Sequence, residues 1–327
     1  MTTIKLGDVA TEVKSSNKGD KTGCKIVGLE HLTPSDVTLS AWSDDTNNSF
    51  TKEFSKGDVL FGRRRAYLKK AAVAPFDGIC SGDITVIRAK EGKVIPQLLP
   101  FIIQNDFLFD YAVEKSAGSL SPRVKWEHLK NFEIILPDME KQKQLADTLW
   151  SINQTKQAYL ALIKQTDELV KSQFIEMFSD TEKGALSDVS IITMGQSPDG
   201  KTYNNVGEGM PFYQGKTEFG DLYIGEATTW TTEPSRIAEA NDVLMSVRAP
   251  VGSTNVANGE CCIGRGLASI RPIQDKTTTM FILYAMRSIE DDIANMGVGS
   301  TFKAINKEQV YKLPIPIADI ELQNRFV

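Results

Sequence analysis

The sequence predicts a mixed α/β (α+β) chain: two tandem, pseudo-repeated domains of strands and loops, joined by one long coiled-coil-type helix. Three observations predict it. The chain repeats itself with a period of about 180 residues. Each copy alternates short β-type runs with Gly, Pro, Asn and Asp turns. Between the copies, apolar residues recur at helical spacing.

Four anchors carry the repeat, in one order. Ile4-Lys5-Leu6-Gly7-Asp8-Val9-Ala10 returns as Gly184-Ala185-Leu186-Ser187-Asp188-Val189-Ser190. Gly57-Asp58-Val59-Leu60-Phe61 returns as Asn241-Asp242-Val243-Leu244-Met245, and an arginine follows each aspartate at the same offset, Arg64 and Arg248. The run 79–86 aligns with 263–270. Gly118-Ser119 and a strand ending Leu136-Pro137 align with Gly299-Ser300 and a strand ending Ile315-Pro316. Strands are expected at 59–61, 84–87 and 132–135, and again at 243–245, 267–270 and 312–315. One helix is expected in each copy, at 98–115 and 279–295.

The connecting segment changes period. From 138 to 178 there is neither proline nor glycine, and Asp138 is a suitable N-cap. Leu145, Leu149, Ile152, Tyr159, Ile163 and Val170 share one helical face, read as core or partner-helix contacts. A forty-residue helix spans about 60 Å and does not hold its fold alone. The expected organisation is therefore 1–137 as first domain, 138–180 as helical spacer, 181–316 as second domain, and 317–327 as the start of a second helix.

Composition is that of a globular chain, with 41% hydrophobic and 24% charged residues. There is no apolar run of membrane-spanning length and no signal-peptide pattern at the start, so a cytoplasmic location without membrane partners is expected. The net charge of −5 argues against a uniformly basic nucleic-acid binder. Residues 138–182, however, hold eight acids against five lysines, so the remainder is near neutral with sharp basic clusters. Four cysteines without C-x-x-C spacing and two distant histidines, His31 and His128, give a metal site little to be built from. No phosphate-cradling G-x-x-x-x-G-K-[ST] loop and no Asn-Pro-Pro-aromatic motif is present. Asp58 and Asp242 sit at strand entries, where a turn role outweighs catalysis. The chain does not read as an enzyme.

Gly57-Asp58-Val59-Leu60-Phe61-Gly62-Arg63, Asp242-Val243-Leu244-Met245-Ser246-Val247-Arg248-Ala249-Pro250-Val251-Gly252, Ile263-Gly264-Arg265-Gly266-Leu267-Ala268 and Met194-Gly195-Gln196-Ser197-Pro198 form a set. With the closing strand-Pro-helix pattern of each copy, it resembles the specificity subunits of type I restriction-modification enzymes over essentially the whole chain. The resemblance implies a non-catalytic role in which each domain reads one half of a gapped, bipartite target in double-stranded DNA. It also implies two helices packed antiparallel, which set the spacing and dock modification subunits, two in number. Those partners bring S-adenosylmethionine and methylate adenine, and a separate motor-nuclease subunit brings ATP and Mg. No cofactor is expected on this chain. The second helix stops after one or two turns, which leaves two readings open: a shortened chain, or a second polypeptide that supplies the complementary helix.

Under that resemblance the DNA-reading candidates are polar and basic loop residues. Arginine pairs bidentately with guanine, glutamine with adenine, and lysine neutralises phosphate. In the first domain they are Arg63, Arg64, Arg65, Lys69, Ser119 and Arg123. In the second they are Gln196, Ser197, Lys201, Lys216, Arg248, Arg265, Ser300 and Lys303. Arg63 and Arg65 lack counterparts in the second copy and are the stronger candidates for specificity; the shared Arg64 and Arg248 are read equally as structural or phosphate-contacting. Two alternatives stand beside this reading: a protein-interaction adaptor, and the recognition subunit of a type IIB-like system.

Overall fold

The computed structural model describes residues 2–17, 19–297 and 304–326. The chain divides into two compact units, Met1–Ala161 and Leu162–Val327, built on the same plan. Among the described residues no helix is long and apolar enough to cross a membrane.

Each unit is centred on a four-stranded antiparallel sheet. In the first, Ala10–Glu12, Ile84–Ala89, Val59–Gly62 and Ala71–Val73 lie side by side in that order; in the second, Ser190–Met194, Leu267–Pro272, Val243–Ser246 and Thr254–Val256 do. The central strands are apolar on both faces, as strands covered on both sides must be. Val59, Phe61 and Ile87 face a helical layer that includes Leu99, Ile103, Phe109 and Leu129. Leu60, Ile84 and Val86 face the opposite way, toward Val27, Phe54 and Cys80 of a smaller sheet. The second unit repeats this: Val243, Met245 and Ile270 meet the Phe281–Met286 helix face, while Leu244 and Leu267 meet Tyr213, Ala238 and Ile263. Burying each such side chain contributes about 1.5–3 kcal/mol.

The smaller sheet is Lys25–Val27, Gly78–Cys80 and Lys52–Phe54, matched by Met210–Tyr213, Cys261–Ile263 and Ile237–Ala238. In both units its first pair is parallel and its second antiparallel. The second unit extends it with Trp230–Thr231 and Tyr203–Asn204. A separate antiparallel pair closes each unit, Thr2–Lys5 on Glu133–Leu136 and Lys183–Ala185 on Pro314–Pro316.

Strand pairing corrects the alignment of the third anchor by one residue. Val59 pairs with Ile87, and its counterpart Val243 pairs with Ile270, so Ile84 corresponds to Leu267 rather than to Ala268. The two expected helices are each broken. The first divides into Leu99–Ile103 and Asp106–Glu114, because the Asn105 side chain accepts the Phe107 N–H and caps a new helix. The second divides into Thr279–Ser288 and Glu290–Met296.

The connecting helix runs Met139–Phe178, forty residues. Asp138 accepts the Lys141 N–H at its start (3.0 Å), and Asp319 does the same for Leu322 (2.7 Å) at the helix Ile320–Phe326. A buried glutamine one turn later ties each helix start to its own unit. Gln142 donates to Pro137 O (2.9 Å) and accepts from Ile95 N (3.1 Å); Gln323 donates to Ala318 O (2.8 Å) and Lys276 O (2.9 Å) and accepts from Thr278 N (3.1 Å). Ala146 and Leu149 then pack on the first unit's core, and the Trp150 indole donates to Gln97 O. The helix's last turns belong to the second unit, where Phe174 and Phe178 form an aromatic cluster with Phe281 and Phe326.

Candidate nucleic-acid interface

A buried aspartate stands at the entry of the central strand in each unit. Asp58 caps its own turn by accepting Ser55 N–H (2.8 Å) and takes a bidentate pair from Arg88, at 2.6 and 2.7 Å. Asp242 accepts Glu239 N–H (2.9 Å), Ser269 Oγ–H (2.6 Å) and the Arg271 fork at 2.9 and 3.1 Å. Both carboxylates are saturated by their own unit, which fits a structural turn role. They orient the strand from which the polar loops emerge.

In the first unit, strand Val59–Gly62 runs straight into Arg63-Arg64-Arg65. This run is pinned between two segments: Arg63 N donates to Asp83 O (3.0 Å), Val124 N to Arg63 O (3.0 Å), and Arg65 N to Pro122 O (2.8 Å). Arg65 takes a left-handed conformation, φ 53° and ψ 57°, so the chain turns and the three side chains diverge. Arg63 is half-buried, Arg64 reaches Asp83 (3.4 Å) and Ser121 Oγ (2.9 Å), and Arg65 is exposed. The Nε atoms of Arg63 and Arg64 are enclosed and have no acceptor among the described residues. Arg123 also pairs with Asp83 (2.7 Å). The Arg123 hydrogen bond, together with Arg64, holds the Asp83 carboxyl below the usual carboxylate range, against a burial effect that acts the other way. Ser119 is exposed in the loop before Arg123. Lys69 sits apart from this group: it is bonded to Asp106 of the helix Asp106–Glu114 (2.5 Å), which raises its pKa.

The second unit gathers its candidates into a cleft lined by Ser197, Gln214, Lys216, Thr217, Arg248 and Arg265. Two glycines let its walls approach. A Cβ on Gly195 would lie 2.1 Å from Gly264 O, and one on Gly266 would lie 2.2 Å from Gln214 O, so neither position admits a side chain without moving backbone. Gly195 N donates to Leu267 O and Gly266 N to Gln214 O, and Arg265 N approaches Ser197 Oγ at 3.4 Å. Lys216 Nζ reaches Ser253 Oγ at 3.2 Å. Arg248 and Arg265 are exposed. Gln196 is exposed beside the cleft, its backbone bonded to Ile263 and to the Ser235 hydroxyl. Lys201 lies outside it, in the Asp199-capped turn Gly200–Thr202. Ser300 and Lys303 fall outside the described residues. Gln214 and Thr217 were not among the sequence candidates, because the pairing of Tyr213 and Gln214 with 264–266 is long-range.

Arg64 and Arg248 occupy one backbone position in two electrostatic settings. Each forms an isolated antiparallel bridge, with Arg123 and Ala304 respectively. The residue before each, Arg63 or Val247, donates to Asp83 O or Gly266 O. Gly266 therefore stands where Asp83 does, and Ala304 where Arg123 does. The acid-and-arginine cluster of the first unit is replaced in the second by an open, basic cleft.

On the long helix, Leu145, Ile152, Tyr159 and Ile163 are 46–64% exposed, and Val170 is half-buried. Leu149 takes the core role of the two expected for this face, packing on its own unit's core. Leu160, Leu162, Leu169 and Ile175 add further exposed apolar surface that the single-face reading did not include.

The sequence profile of the type I restriction modification DNA specificity domain matches residues 1–166 and again 179–327. The type I restriction enzyme MjaX specificity subunit of Methanocaldococcus jannaschii is 30% identical over 93% of this chain and 79% of its own. The EcoDI specificity subunit of Escherichia coli is 24% identical over 43% of this chain and 31% of its own. Among solved structures, the type I S subunit from M. genitalium covers 99% of this chain and 87% of its own with a TM-score of 0.56 at 13% identity, a likeness of fold. The HsdS subunit from Thermoanaerobacter tengcongensis is 31% identical over 99% of this chain and 86% of its own, with a TM-score of 0.44. The chain, with two copies of the domain, belongs to the family of type I restriction-modification DNA specificity subunits.

Proposed function

We propose that the chain is the non-catalytic reader of a type I restriction-modification complex, each domain recognising one half of a gapped DNA target. The observation that carries this is the duplicated scaffold with unlike dressing. Arg64 and Arg248 leave equivalent strands at equivalent positions, yet one stands in an ion cluster and the other on an open cleft. Two readers derived from one ancestor need a common frame and different polar surfaces. In the second domain, Arg248, Arg265, Lys216, Ser197 and Gln214 offer the forks, hydroxyl and amide that base edges require. In the first, Arg63, Arg64, Arg65 and Arg123 offer guanidinium forks.

The exposed stripe of Leu145, Ile152, Tyr159 and Ile163 supports a helix partner for the spacer and, beside it, docking of two modification subunits. S-adenosylmethionine, ATP and Mg are carried by partner subunits in this reading. The test is adenine-methylation mapping across the genome of cells carrying this chain with its partners. A bipartite motif is the expected result. Undetectable duplex binding by the assembled complex at low salt would refute the reading, since phosphate contacts are strongest there.

A further inference from the structure

We propose that Leu120 is an apolar wedge that enters the base stack of duplex DNA at the half-site read by the first domain. The proposal rests on the DNA-reading function above. Leu120 is 90% exposed, the most exposed large apolar side chain among the described residues. It stands at the apex of a built loop. Ala117 and Arg123 exchange two backbone hydrogen bonds, at 3.0 and 2.9 Å, which close the five residues between them. Gly118 supplies the left-handed turn, with φ +115°. The descending leg is held from outside: Ser121 Oγ accepts from Arg64, Pro122 O from Arg65 N–H, and Arg123 is paired with Asp83. The leucine is therefore held away from the core by a loop whose ends are fixed.

The surroundings favour a nucleic acid over a protein surface as its occupant. Arg64 and Arg65 hold the loop's descending leg and Arg123 closes it, with Asp83 paired to Arg64 and Arg123, in a chain of net charge −5. An apolar tip inside a basic collar matches a ligand with an anionic exterior and an apolar stacked interior. Side chains of this kind unstack a base step while flanking cations hold the backbone.

The experiment uses the chain assembled with its modification subunits and a duplex of the mapped motif. 2-Aminopurine is placed in turn at each position of the first half-site. The expected result is a several-fold fluorescence rise at one step other than the methylated adenine. Leu120→Ala abolishes that rise and weakens binding about tenfold at fixed salt, with an unchanged salt slope. Leu120→Met, which keeps the apolar reach, retains both signals. Native-like fluorescence and affinity in Leu120→Ala would overturn the proposal. So would failure of Leu120→Ala to assemble with the modification subunits by gel filtration without DNA, which would make the apex a protein contact. If the native complex binds no duplex, the DNA-reading function itself falls, and this is seen before any variant is made.

Discussion

Asp242→Asn tests the deepest structural statement made by the duplicated fold. The native carboxylate accepts four hydrogen bonds, from Glu239 N, Ser269 Oγ, Arg271 Nε and Arg271 Nη2. Asparagine has nearly the same shape but offers one acceptor oxygen and sets an NH2 group against donors. Removing one partner of a buried ion pair costs about 3–5 kcal/mol. The Arg271 side chain is 33% exposed and regains some water, so the lower end, about 3 kcal/mol, is expected. Asp58→Asn breaks a similar pair, but Arg88 is 46% exposed and no hydroxyl among the described residues bonds Asp58, so its cost is nearer about 2 kcal/mol.

Because the chain has two units, a single unfolding free energy is poorly defined. Native-state hydrogen exchange read on the central strands is the better assay. Protection in Val243–Ser246 and Leu267–Pro272 should fall by about two orders of magnitude in Asp242→Asn, corresponding to about 3 kcal/mol. Arg271→Met should cost a comparable amount, and the double variant should cost much less than the sum of the two. A loss below about 0.5 kcal/mol, or strict additivity, would refute the reasoning; the pair would then be no better than a surface contact.

Three further outcomes follow from single sites. Gly195→Ala should open the second-domain cleft, since its Cβ meets Gly264 O at 2.1 Å; a crystal structure with the 195–197 and 264–266 segments unmoved would contradict this. Burial pushes the Cys80 and Cys261 thiols up to about 12, so at pH 8 the half-buried Cys24 should react with a thiol reagent while Cys80 and Cys261 stay silent until unfolding. Asp83, held low chiefly by the Arg123 hydrogen bond, contributes stability above the ordinary aspartate pKa of about 3.9 and loses it only as pH falls through its own lower value. Carboxyl-carbon NMR should therefore place its midpoint below the ordinary aspartate value of about 3.9, and a midpoint at or above that value would show that the cluster does not form in solution.

The duplicated strands were legible because central strands leave a dense apolar record: Val59-Leu60-Phe61 and Val243-Leu244-Met245 face cores on both sides. The long helix was legible from the unbroken run without proline or glycine, and Asp138 marked its start. Register was harder. From Asp58 to Arg88 is 30 residues, and from Asp242 to Arg271 it is 29, so the second copy is one residue shorter, and matching Gly82 to Gly266 conceals the slip. Because strand side chains alternate, a slip of one exchanges the two faces. The signal that corrects it was present, as Ile87-Arg88 and Ile270-Arg271 close the same strand in both copies. The cleft was legible in part. Ser197, Lys216, Arg248 and Arg265 were candidates by residue type, whereas Gln214 depended on a pairing some fifty residues away in sequence, visible only once Gly266 N meets Gln214 O.

The contrast between Asp83 and Gly266 carries the argument from fold to specificity, and it can be tested by making the first domain resemble the second. Asp83→Gly with Arg123→Ala removes the acid and the second arginine together, leaving Arg64 in the setting of Arg248. Asp83 is 22% exposed and Arg123 43%, so the cluster is partly solvated and its removal should cost little stability. What it removes is the Arg123 guanidinium and the ionic restraint on the Arg64 fork, which keeps only its contact with the Ser121 hydroxyl. A guanidinium free to sample rotamers still neutralises phosphate but loses the aligned pair of donors that distinguishes guanine from other bases. In methylation maps, the first half of the motif should therefore become degenerate at one or more positions while the second half stays intact. Relaxation of both halves would mean that the double variant perturbs assembly rather than base readout. An unchanged motif would mean that Arg64 contacts backbone alone, and that the two domains differ through other loops.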